Sequence, residues 1–231
     1  MESGVEGAAP GRVIVIGSHS RTWRALAARA SLSATVDAAI GHATVASFRF
    51  APSDRVWVLS YSRQGDENRQ LLERLRAAGV QQICYVSSSS VIACQVSRCY
   101  EYPRIKEDAE RAALAAPGGR VLTLGLLYDD VAELPSGDNV ACSYDELADF
   151  MRDPVWPDAA GRRKFLFRRL PRPFSSKPEA AVFALYDRAL RACGAYPCLL
   201  RPVDFALRLC GWRWYGYVRV SNRLWYSTIS S

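Results

Sequence analysis

The stretch that most constrains this chain is Gln81 to Lys106, QQICYVSSSSVIACQVSRCYEYPRIK. Ile83-Cys84-Tyr85-Val86 is short, apolar and rich in β-branched and aromatic residues, which suits a buried central strand better than a helix. Ser87 to Ser90 follow at its carboxyl end, where an open α/β sheet binds its ligands. Tyr102 and Lys106 stand four residues apart, so on one helix their side chains share a face. An ammonium beside a phenol favours the phenolate, and such a pair suits acid/base work near neutral pH. A serine hydroxyl at the strand end would then hold the reacting oxygen. An exposed helix start with an incidental Tyr and Lys is the alternative.

The flanking chain alternates strands and helices. Arg12 to Ile16 reads as a buried strand ended by Gly17, and Ser20 as the cap of a helix to Ala30. Such a strand–turn–helix offers a helix N-terminus to a pyrophosphate. A short strand at Ala34-Thr35-Val36 would end at Asp37, about twenty residues after Gly17, where an acidic group would hold an adenosine ribose. A surface turn is the other reading of Asp37. Val45 to Phe50 is expected as a third strand and Arg55 to Ser60 as a fourth. Leucines at 71, 72 and 75 mark a helix from Asp66 to Ala78, stopped by Gly79. A helix from Tyr102 to Ala116 and a strand from Arg120 to Leu127 complete the alternation. The fold class expected is α/β, a Rossmann-like doubly wound parallel sheet with a small, reduced C-terminal substrate lobe.

Val-Ser-Ser-Ser-Ser-Val followed by Tyr102-x-x-x-Lys106 resembles the short-chain dehydrogenase/reductases, in particular the extended branch of NAD-dependent sugar epimerases and dehydratases. The resemblance implies Tyr102, Lys106 and Ser88 as catalytic residues. Tyr102 would transfer the proton, Lys106 would lower its pKa and contact the nicotinamide ribose, and Ser88 would orient the reacting oxygen. It also implies NAD or NADP as cofactor, held by Gly17, Ser18, Ser20, Asp37 and Ser60, and a nucleotide sugar as substrate. Where the family has Gly-x-x-Gly-x-x-Gly, this chain has Gly17, Ser20 and Trp23. An indole in place of the third glycine is expected to displace the helix or to cover part of the cofactor site, and so to weaken binding. A Rossmann-like protein that binds a nucleotide or a partner without turnover is the rival reading.

Residues 1–135 are expected to form the dinucleotide-binding domain and 136–231 the reduced lobe and an aromatic, basic tail. Ser143-Tyr-Asp-Glu146 and Ser176-Lys-Pro-Glu179 are capping-box patterns opening helices. Between Ala159 and Lys177 basic residues occur with no acidic one, and Arg162, Arg168 and Arg169 are candidate partners of the substrate diphosphate. A solvated basic strand edge is the alternative. The tail from Cys210 mixes aromatics with arginines, which suits packing over the lobe, a homodimer contact, or peripheral contact with a membrane.

The net charge of +7 fits an anionic ligand, yet the chain carries no nucleic-acid motif. Seven cysteines without Cys-x-x-Cys spacing and only two histidines argue against a zinc site. They read as thiols in a reducing cytoplasm, in keeping with a start, MESGVEGAAPGR, that lacks the apolar core of a signal peptide.

Overall fold

The structure, a computed structural model, describes residues 11–96, 98, 100–153, 161–193, 202, 205, 209 and 216–229. Its main sheet takes one strand from each apolar run. β1 (Val13–Ile16), β2 (Ala38–Ile40), β3 (Arg55–Val58), β4 (Gln82–Ser88), β5 (Gly119–Leu124) and β8 (Arg163–Leu166) are all parallel, in the order β2-β1-β3-β4-β5-β8. Alternation along each strand sends residues to two cores. Val15, Trp57, Cys84, Val86 and Leu122 face α1 (Arg21–Ala27), α2 (Ala30–Ser33) and α5 (Tyr144–Arg152). Ile14, Val56, Ile83, Tyr85 and Val121 face α3 (Gly65–Ala77) and α4 (Glu101–Ala115). Helices therefore cover both faces, as a parallel sheet requires. The strand order reverses at β1, which carries β2 on one side and β3 on the other, and there the carboxyl ends open a crevice.

A second, three-stranded sheet, β6 (Leu126–Tyr128), β7 (Val140–Ser143) and β9 (Arg168–Arg169), branches from β5 at Gly125. A Cβ at Gly125 would lie 2.5 Å from the Val140 carbonyl oxygen, so only glycine lets the chain step from one sheet to the other there. The Ser143 capping box is present in full. α6 (Lys177–Cys193) opens with the Glu179 amide donating to Ser176 Oγ, and α7 (Gly216–Ile229) closes the described chain. No helix of the described residues is long and apolar enough to cross a membrane.

Three sequence expectations change. Val45–Phe50 is not a strand: a 3-10 helix spans His42–Ala46, held by Thr44 Oγ1 on the Gly41 carbonyl and followed by Ser47 Oγ on the Thr44 carbonyl. Its Val45, with Phe48 and Phe50, packs down on the α3-side core instead of alternating, and β2 becomes the sheet edge. The strand expected at 34–36 starts later, at Ala38, because α2 takes up the preceding residues. Residues 163–166, placed by sequence in the second lobe, return to the main sheet as its sixth strand.

Candidate active site

β4 ends in the serines, and hydrogen bonds fix their order. Ser88 Oγ caps the 3-10 helix Ser89–Gln95, accepting from the Ser90 amide at 3.2 Å and from Ser90 Oγ at 3.0 Å. With both contacts received, the Ser88 proton is left to donate elsewhere. The chain then turns into α4, whose first turn tolerates Pro103 because a leading amide has no helical acceptor. Tyr102 and Lys106 follow on one face of that helix.

Ser88, Tyr102 and Lys106 line one cavity of about 250 Å³ at the carboxyl ends of β4 and β5. Thr22 of α1 and Leu59, beyond β3, bound it on the β1 side, and Leu124 to Leu127 form its floor. Tyr217, Val218, Ser221 and Asn222 of α7 complete the wall. Among the described residues no carboxylate and no guanidinium lines it. Ser87 Oγ, buried and without a hydrogen-bond partner, belongs to the same lining.

Lys106 is 5% exposed and its Nζ donates to the Val86 carbonyl at 3.1 Å. The rings of Tyr85 and Tyr61 lie 4.9 and 5.3 Å from that ammonium, a cation–π box under the cavity. Burial lowers Lys106 to about 8, with Glu110 opposing. Burial likewise pushes the Tyr102 phenol up to about 12, against a hydrogen bond from Ser88 that pulls it down. The expectation that Lys106 sets the phenol low is corrected here: desolvation outweighs the other influences on Tyr102, and at neutral pH the phenol keeps its proton.

The turn after β1 is built for close approach of backbone. Gly17 has φ +117°, and a Cβ there would sit 2.8 Å from the Ser60 nitrogen. The Gly17 and Ser18 amides both donate to the Ile40 carbonyl, and Ser20 Oγ caps α1 by accepting from the Trp23 amide. Trp23 neither covers the cavity nor lines it. It is 8% exposed and packs in the core with Leu26, Trp57 and Leu59, so the large side chain is absorbed between helix and sheet. Ser60 sits on the α3 side of the crevice, 3.3 Å from His42 Nδ1, lining a separate hollow.

Four expected site residues fall elsewhere. Asp37 precedes β2, so it lies at the amino ends of the strands, where its carboxylate accepts from the Val13 amide at 2.7 Å. It cannot reach a ribose at the opposite edge. Arg162 is also at that far edge, donating to the Leu114 and Ala116 carbonyls at the end of α4. Arg168 pairs with Glu146 at 2.8 Å and donates to Tyr128 Oη, and Arg169 donates to the Tyr226 carbonyl and lies over the Tyr226 ring. The diphosphate clamp is therefore absent from this cavity, since none of the three lines it. Tyr100, the rival phenol, is buried at the N-cap of α4 against the Tyr217 ring and outside the lining. Among the described residues no group of His, Cys, Asp and Glu could hold a metal ion.

The sequence places Tyr61, in the Ser60-Tyr61-Ser62 exit of β3, beside the expected cofactor, but sequence reasoning missed Tyr85 and the α7 residues. Only the aromatic at the exit of β3 was visible as a signal; the rest requires the tertiary fold. The tail residues from Cys210 to Tyr215 lie outside the described residues.

No protein-family model matches the chain, and no curated protein is a significant sequence match. Solved structures do match. One is an NAD-dependent NDP-hexosamine 5,6-dehydratase, TunA, involved in tunicamycin biosynthesis: TM-score 0.53, 11% identity, covering 80% of this chain and 82% of that one. Another is the UDP-N-acetylglucosamine 4-epimerase from Bacillus cereus: TM-score 0.51, 12% identity, covering 76% and 84%. At such identities the likeness establishes the fold, a doubly wound Rossmann-like α/β architecture.

Proposed function

We propose that the chain is an NAD(P)-dependent enzyme of the short-chain dehydrogenase/reductase type, acting on a hydroxyl or carbonyl of a nucleotide sugar in the manner of an epimerase, dehydratase or reductase. The observation that carries the reading is the convergence of Ser88, Tyr102 and Lys106 on one cavity at the carboxyl ends of β4 and β5, with Thr22 of α1 in its lining. The likeness to two nucleotide-sugar enzymes supports it.

The residues at the crevice fit a dinucleotide. Gly17 lets the turn pack tightly against the Ser60 backbone, Trp23 is packed aside, and Thr22 and Leu59 lead from the turn into the Tyr102 cavity. A bound nicotinamide supplies hydride exchange with the reacting carbon. Tyr102 Oη gives its proton to, or takes it from, the oxygen on that carbon. With its pKa near 12 the phenol starts as the acid, and use as a base calls for more positive charge at the site. The Ser88 hydroxyl, held by Ser90, donates its own proton to the same oxygen and orients it. Lys106 has ammonium donors beyond the one given to Val86, and these suit ribose hydroxyls.

Fluorescence titration with NADH and NADPH tests this directly. One of them should bind the full chain, and Lys106→Met should weaken it about tenfold, the effect of losing a charge-assisted hydrogen bond. Binding of neither at millimolar concentration would overturn the reading.

A further inference from the structure

The C-terminal helix α7 is bound to the serine segment through main-chain acceptors. Trp225 Nε1 donates to the Ser89 carbonyl at 2.8 Å and Ser221 Oγ to the Ser90 carbonyl at 3.3 Å. Asn222 Nδ2 donates to the Asp138 carbonyl at 2.8 Å, and Tyr226 Oη to the Asn139 carbonyl at 3.1 Å. These side-chain bonds to distant backbone, all from residues 221–226, hold the middle of α7 as a wall. Its first turn approaches so closely that a Cβ at Gly216 would lie 2.4 Å from Tyr100 Oη. That places the Tyr217 ring over the Tyr102 ring, stacked at 5.7 Å and 29°.

Two consequences follow for a ligand. The cavity is partly open, and its volume, about 250 Å³, is smaller than the roughly 300–1,000 Å³ of sites that swallow a whole drug-sized molecule. Among the described residues the lining offers hydroxyls, one amide, one ammonium and aliphatic side chains, and no guanidinium. We propose that Tyr217 is the specificity-determining residue of this site: with Val218 and Ser221 it limits the size of the uncharged, hydroxyl-bearing substrate ring that can lie against Tyr102. The ligand class rests on the function proposed above, whereas the wall itself does not.

Lys106 reports on the wall, being one of three lysines in the chain. The full-length protein is treated with trinitrobenzenesulfonate and modification of Lys106 is read by peptide mass spectrometry. Tyr217→Ala should label about three- to tenfold faster than wild type, the change expected from losing one stacked aromatic pair. Tyr217→Phe should match wild type, and Val218→Trp, which fills the cavity, should label more slowly. Should Tyr217→Ala fail to fold, Val218→Trp decides alone: unchanged labelling in that variant overturns the wall. For specificity, UDP-glucose and the bulkier UDP-N-acetylglucosamine are titrated with NAD present. Wild type should favour the smaller sugar and Tyr217→Ala should lose that preference; an equal preference in both proteins overturns the role of Tyr217. If neither sugar nucleotide binds either protein, the nucleotide-sugar reading falls, and the labelling rates still decide whether α7 encloses the site.

Discussion

Lys106 should cost the fold stability, and its replacement should show by how much. Its ammonium is 5% exposed, and burial lowers it from an ordinary 10.5 to about 8. That difference corresponds to about 3 kcal/mol. Below pH 8 the lysine is charged in both the folded and the unfolded chain, so the whole cost falls on the folded state. Between pH 8 and 10.5 the unfolded chain still holds the proton that the folded one has released, so the unfolded state binds more protons and stability rises with pH. Lys106→Met removes the charge and loses the bond to the Val86 carbonyl, worth about 1 kcal/mol. The variant should therefore be about 2 kcal/mol more stable than wild type at pH 7, with the gap closing above pH 8 and reversing at about pH 9.5. Urea unfolding followed by circular dichroism at several pH values between 6 and 10.5 measures both curves. A variant less stable at pH 7, or a gap that does not change with pH, would refute the reasoning. A stabilising change that weakens cofactor binding would identify Lys106 as a residue kept for chemistry at the expense of the fold.

Two further outcomes follow from where the structure puts residues. Trp23→Ala should lower stability by about 3–5 kcal/mol, because the indole fills the core with Leu26 and Trp57, while leaving affinity for NADH and NADPH unchanged; tighter cofactor binding would show that the indole obstructs the site after all. Arg162→Ala should lower the melting temperature by freeing the Leu114 and Ala116 carbonyls, a loss of about 1–3 kcal/mol, and should not alter calorimetric binding of uridine diphosphate.

The sequence by itself determined what local geometry and hydrophobicity determine. The apolar runs at 13–16, 55–58 and 83–86 became parallel strands because each can be buried only in a sheet covered on both faces. Tyr102 and Lys106 share a face because helical spacing is fixed within two turns, and Ser88 meets them because the connection from β4 to α4 is short and begins with the 3-10 helix Ser89–Gln95. The capping box at Ser143 was legible for the same reason, since its partners stand three residues apart.

Position at one end of the sheet or the other was decided only in three dimensions. Asp37 and Arg162 have suitable chemistry for a nucleotide, but strand register puts both at the amino-terminal edge. Register is set by pairing between distant segments, and a shift of a few residues moves a side chain from one edge to the other. Val45 and Phe48 have the composition of a strand yet cap a core, because β2 ends the sheet and the space beyond α3 had to be filled. Trp23 looked obstructive beside a glycine motif, and the neighbouring core proved able to take its volume. The tail is the clearest case: its aromatics and arginines are equally compatible with solvent rim, membrane or partner until the Ser89, Ser90, Asp138 and Asn139 carbonyls, 81 to 136 residues earlier in the chain, supply the acceptors that hold α7 across the Tyr102 cavity.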